Sequence, residues 1–377
     1  MSFFSPLRVL AVLAKEFTQL RRDRLTYAMI LVLPVVQLLL FGYAINDQPR
    51  HLPTAVLVQE NTVFARSVLA AVRNSAFFDL TRVARSPAEL DTMLRRGDVQ
   101  FAITIPGDFT RRVIRGDDPQ ILVEADATDP AATGAAVAAV AGLPDQALAR
   151  DLVGLPGPRG ATTSPFQVIV HNRYNPDSIT AYNIVPGLLG ITLSLTLVMM
   201  TALAVTRERE RGTMEFLLAT PVQPLEVMVG KLAPYVIVGL LQTVIVLVLA
   251  ALLFQVPMQG GWIGLGFGVS LFIVGSLALG FLISTLAKSQ LQAMQMALFY
   301  VLPSILLSGF MFPFRGMPGW AQVVGTLVPV THFLRIVRGA LLKGQTFADA
   351  VPSLAALAII VLVVSGLAVV RYQRTLD

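Results

Sequence analysis

Thr206 to Lys231 reads TRERERGTMEFLLATPVQPLEVMVGK, a dense polar and charged segment set between two long apolar runs. Its charges alternate in sign from Arg207 to Arg211, Gly212 permits a sharp change of direction, and Thr213 is a suitable helix cap. Met214, Leu217 and Leu218 then share one face at helical spacing over Thr213 to Ala219, and Pro221 and Pro224 stop the helix. So short a helix is marginal alone in water. Its apolar face asks for a groove on a partner.

The flanking runs set the fold class. Over 377 residues, 55% are hydrophobic and 14% charged, too apolar for an ordinary soluble protein. A bilayer core roughly 30 Å thick takes about 20 apolar residues of helix. Six runs reach that length without an ionisable Asp, Glu, Lys or Arg: 26–45, 181–205, 232–254, 263–286, 291–313 and 351–370. The expected fold is a polytopic α-helical membrane protein with six transmembrane helices and an external α/β domain between helices 1 and 2. The first run is read as a retained signal anchor, since no small-x-small cleavage site follows Gly42 to Asn46.

Short-loop Lys and Arg residues give the orientation. With the N-terminus in the cytoplasm, the inner segments hold 12 basic residues and the outer short loops 4, namely Arg315, Arg335, Arg338 and Lys343. Both termini, including the tail 371–377, are then cytoplasmic, 206–231 is a cytoplasmic loop, and 46–180 is external. The net charge of +6 follows from this topology, so no nucleic-acid partner is needed to explain it.

Within 46–180, short β-branched runs at Thr54 to Gln59, Phe78 to Val83, Val99 to Ile105, Gln120 to Ala125 and Phe166 to His171 read as strands. Helical patterns lie between them at Val63 to Arg73, Pro87 to Arg96, Gly107 to Ile114, and in one long Ala-rich stretch from Pro130 to about Leu152. The alternation predicts a sheet with helices packed on it. Gly154 to Ser164 reads as a flexible loop.

Enzyme signatures are missing. No Gly-x4-Gly-Lys-Ser/Thr loop, His-Glu-x-x-His or Gly-x-Ser-x-Gly occurs, and His51, His171 and His332 are widely separated. The expected catalytic, cofactor and metal residues are none. The six runs also lack the intramembrane charges an ion-driven carrier uses, so the driving force enters from outside them. Polar residues within them, Gln37, Gln242, Gln292, Gln295 and Thr196, are candidates either for substrate contact or for helix-to-helix hydrogen bonds. Gly264, Gly266, Gly268, Gly275 and Gly280 suggest close helix packing.

The string RERERGTMEFLLATPVQPLEVMVGKLAPY, together with Asn172-Arg173-Tyr174-Asn175-Pro176 before the second run, resembles permease subunits of type 2 ATP-binding-cassette exporters. It is most similar to bacterial multidrug-type permeases with a large periplasmic domain. The resemblance implies that Glu208, Gly212, Thr213, Glu215, Leu217, Leu218 and Pro221 form a coupling helix that docks on a separate cytoplasmic ABC ATPase subunit, which holds ATP and magnesium. It further implies an inner-membrane exporter half, an N-terminal amphipathic connecting helix over 1–25, re-entrant helices in 314–350, and a second permease copy, identical or paralogous, as partner. A hydrophobic or amphipathic substrate, drug-like or lipid, would suit the apolar spans. Membrane lipid and a periplasmic adaptor are further candidate partners. The arginines of 314–350 are expected to meet acidic lipid or the external domain. Two readings from other classes stay open: a membrane-anchored sensor or scaffold with an external ligand-binding domain, and an ion-coupled carrier.

Overall fold

The computed structural model describes residues 50–152, 164–210 and 224–373. The expectations for 1–25, for the span 26–45 with Gln37, and for the helix over Thr213 to Ala219 lie outside the described residues, as does nearly all of the Gly154 to Ser164 loop.

The α/β part alternates β1 (Leu52–Val58), α1 (Val63–Asn74), β2 (Phe78–Val83), α2 (Pro87–Arg96), β3 (Phe101–Ile105), α3 (Phe109–Arg115), β4 (Gln120–Asp126), α4 (Pro130–Ala141), α5 (Leu143–Ala147) and β5 (Gln167–Arg173). The strands form one mixed sheet in the order β2-β1-β3-β4-β5, parallel except for the β3–β4 pair. β1 and β3 are nearly continuous in buried apolar side chains because helices cover both of their faces. On one face Leu52, Val56, Phe78, Phe101 and Ile103 pack with α1, α3 and α4; on the other, Ala55, Leu57 and Ala102 pack with Leu90 and Leu94 of α2. Ser86 caps α2 by accepting from the Glu89 amide at 3.2 Å, while the Arg85 amide donates to the Glu89 carboxylate at 2.8 Å. This reciprocal pair fixes where α2 begins.

The long Ala-rich helix expected from Pro130 to about Leu152 is instead two helices broken at Gly142. Pro144 explains the break, since it carries no amide donor and its ring clashes with the preceding turn.

The second part is helical: α6 (Thr180–Glu210), α7 (Pro224–Phe254), α8 (Trp262–Leu286), α9 (Gln290–Leu307), α10 (Gly319–Thr326), α11 (Pro329–Leu341) and α12 (Phe347–Gln373), with a 3-10 turn at Phe314–Gly316. Five of these are long and apolar enough to cross a membrane, or six if α10 and α11, which meet at 85°, count as one broken span. α8 is the hub. Stacked rings of Phe272 and Phe333, 4.1 Å apart, join it to α11, and its glycines admit α6, α11 and α12. By contrast α7 and α12 leave broad apolar faces uncovered, such as Leu252 at 73% and Leu362 at 72% exposure, as helices facing hydrocarbon do.

The glycine spacing of α8 marks close approach at Gly268, Gly275 and Gly280, whereas Gly266 faces open space. A methyl group on Gly280 would stand 2.6 Å from the Val198 carbonyl oxygen of α6. Gly280→Val is therefore expected to destabilise the bundle by about 2–3 kcal/mol, and Gly266→Ala to leave it unchanged. Thermal unfolding of the two variants in detergent checks the pair, and an unchanged Gly280→Val protein would contradict this packing.

Candidate functional site

Two polar regions lie at opposite ends of the helical part. The first is the charged base of α6. The run expected to leave the membrane at 205 stays helical through Arg207, Glu208, Arg209 and Glu210. Cations and their partners suit the last turn, where backbone carbonyls lack intrahelical donors. Here the helix is tied to the start of α9: Arg207 Nε donates to Gln290 Oε1 at 3.0 Å, and the Gln290 amide donates to Glu210 Oε1 at 2.8 Å. The Gln290 side-chain amide also donates to Glu210. A short link, Ala287 to Ser289, joins α8 to α9 at this point. One glutamine thus gathers the ends of α6, α8 and α9.

Sequence reasoning missed Gln290, because nothing in its local pattern marks it; only the fold brings it within reach of residue 210. Gln292, two positions on, completes the cap of α9. Ser289 Oγ accepts from the Gln292 amide at 3.2 Å, and the Lys288 amide donates to the Gln292 side chain. Of the coupling residues, Glu208 is half-buried in the last turn of α6, while Gly212, Thr213, Glu215, Leu217, Leu218 and Pro221 lie in the adjoining segment outside the described residues.

Among the polar span residues, Gln242 of α7 and Thr196 of α6 are brought together, with Gln242 Nε2 donating to Thr196 Oγ1 at 3.3 Å. Gln242 Oε1 is buried without a donor. Gln295 is half-buried on α9.

At the other end, the α/β part docks on the segment between α9 and α12. Arg96 Nε, at the C-terminus of α2, pairs with Asp349 at 2.7 Å, and Arg95 Nε approaches the same carboxylate at 3.4 Å. This hydrogen bond holds the Arg96 guanidinium above its ordinary pKa. Asp349 is placed by a cap, since the Thr346 amide donates to it at 3.2 Å and the Thr346 hydroxyl at 2.9 Å. α12 therefore begins at Phe347, earlier than hydropathy alone places the span, and carries a carboxylate in its first turn. Lys343 donates to Asp126 at the end of β4 and lies 5.6 Å from the centre of the Tyr174 ring. Gln345 Nε2 donates to the Arg95 carbonyl at 2.7 Å, and Arg315 donates to the Gly97 carbonyl at 2.9 Å.

The Asn172 to Pro176 string is the joint between the two parts. Arg173 pairs with Glu124 at 2.8 Å and with Asp91, while buried Asn175 accepts from the Ile179 amide at 2.9 Å and donates to its carbonyl at 3.1 Å. These bonds fix how the sheet leads into α6.

Comparison with known proteins places nearly the whole chain in one family. Residues 24–370 match the family model described as ABC-2 family transporter protein. The chain is 30% identical to the "Probable multidrug ABC transporter permease YbhS" of Escherichia coli over 98% of each protein, and 27% identical to YbhR, a permease of the same description, over 89% of this chain and 90% of that one. It is also 30% identical to the "Inner membrane transport permease YhhJ" of the same organism over 76% of each. With a match across nearly its whole length, the chain belongs to the ABC-2 transporter family and is a permease subunit of an ATP-binding-cassette exporter.

Proposed function

We propose that the chain is one half of an inner-membrane exporter in which 206–231 receives the stroke of a cytoplasmic ATPase and the spans open a path for a hydrophobic or amphipathic compound. The observation that carries this is the unbroken course of α6 into Arg207–Glu210, tied through Gln290 to α9. A displacement at the cytoplasmic loop then moves two helices and not one. In this reading both termini are cytoplasmic, 46–180 is periplasmic, and two permeases, identical or paralogous, face each other over two ATPase subunits. The multidrug naming of YbhS and YbhR supports a drug-like substrate. ATP and magnesium belong to the partner subunit, in keeping with a sequence that has no phosphate-binding loop. A sensor or scaffold would need no ATPase, and an ion-coupled carrier would move substrate alone.

Co-purification separates these readings. Isolated from its native membrane in mild detergent, the chain is expected to bring down a cytoplasmic subunit with a Walker-type loop; a preparation that holds the permease alone would sink the proposal.

A further inference from the structure

Between the α/β part and the bent pair α10–α11 lies a cavity of about 480 Å³. Three arginines of the 314–341 segment line it: Arg315, Arg335 and Arg338. Arg315 is bonded to the Gly97 carbonyl. Arg335 lies over the Phe314 ring, 4.8 Å from its centre. Arg338 Nη1 donates to the Gly309 carbonyl at 3.0 Å and Nη2 to Asn183, while its Nε is buried with no acceptor. Arg315 and Arg338 make their hydrogen bonds to carbonyl oxygens and Asn183 rather than to carboxylates. The nearby carboxylates of Asp126 and Asp349 are taken by Lys343 and by Arg95 and Arg96. Asp98 and Asp129 also line the wall, from the α/β side.

α10, which begins four residues after Arg315, presents an apolar stripe outside the cavity lining. Trp320, Val323, Val324 and Leu327 recur at i, i+3, i+4 and i+7 and are 48%, 65%, 44% and 69% exposed. Guanidinium groups close in the chain to such a stripe, with a tryptophan among its members, suit the boundary between lipid phosphates and acyl chains. A soluble anion would have no use for the stripe.

We propose that this cavity holds the headgroup of an anionic glycerophospholipid, its phosphate on Arg315 and Arg335 and its acyl chains along α10. The inference rests on the reading above that this end of the spans meets the outer membrane surface. Arg338 positions the site through Gly309 and Asn183; Arg315 and Arg335 supply the exposed charge.

Trp320 is a built-in reporter, because the sequence holds one other tryptophan, Trp262. The full chain carrying Trp262→Phe, in phosphatidylcholine bilayers, is titrated with brominated phosphatidylglycerol or brominated phosphatidylcholine while Trp320 fluorescence is followed. Phosphatidylglycerol is expected to quench with an association constant roughly tenfold higher, and Arg315→Gln with Arg335→Gln to abolish that preference. The corresponding double Lys variant should keep most of it, and millimolar inorganic phosphate should not reverse the quenching. Equal quenching by both lipids, a preference that survives the Gln substitutions, or displacement by inorganic phosphate would each overturn the proposal. Co-purification of the ATPase with the same protein separates failure of this site from failure of the exporter reading.

Discussion

Export is expected to fall to background in Gly212→Pro and Glu215→Arg variants, with substrate-stimulated ATP hydrolysis lost and membrane insertion intact. The physical case begins at α6. That helix carries its charged last turn directly to residue 210, and in the proposed reading Gly212 is where the chain turns into the expected short helix. Proline there fixes φ and removes an amide, which misdirects every following residue. Glu215 acts differently. In the helix that the sequence predicts from a Thr213 cap it falls in the first turn, where a carboxylate favours the helix and an arginine opposes it. In the proposed reading the substitution also puts a cation on the face offered to the ATPase in place of a carboxylate. Neither change touches an apolar span, so insertion and the Arg207–Gln290–Glu210 contacts should persist. Export and ATPase stimulation measured with the reconstituted complex check this, and normal export by either variant would remove 206–231 from the coupling path.

The second large effect concerns stability. Lys343 and Asp126 join the α/β part to the helices, and their side chains are only 10% and 7% exposed. A buried pair is worth little compared with an apolar replacement of both partners, yet removing one partner strands a buried charge at a cost of about 3–5 kcal/mol. Asp126→Ala should therefore destabilise the chain by about 3 kcal/mol or more, and Lys343→Met combined with Asp126→Ala should recover most of the loss. Asp126 also accepts from the Thr128 hydroxyl at 2.8 Å, so recovery will be incomplete. Thermal unfolding across the four proteins of this cycle gives the coupling. Additive losses would mean that the pair does not join the two parts.

The architecture was readable wherever period and composition speak locally. Strands such as Phe78–Val83 and the helix Pro87–Arg96 stand where the β-branched runs and helical patterns place them. The Ala-rich stretch was misread because its composition favours helix at every position, while Gly142 and Pro144 act on backbone geometry. The charged base of α6 was legible as a break in polarity, through its alternating signs between apolar runs. Its link to Gln290 was not, since an isolated glutamine at a helix start carries no signal of a contact 80 residues away. The docking of α2 on α12 was hidden for the same reason. Arg95, Arg96 and Asp349 each read as an ordinary helix-terminal charge, and only the fold makes them neighbours.

The central claim is that energy enters through the loop 206–231 from a separate ATPase. It is tested most directly by dye export from proteoliposomes that hold the chain with or without its ATPase subunit. Export that requires both the subunit and ATP is the predicted result. Export by the chain alone, driven by an ion gradient, would contradict it.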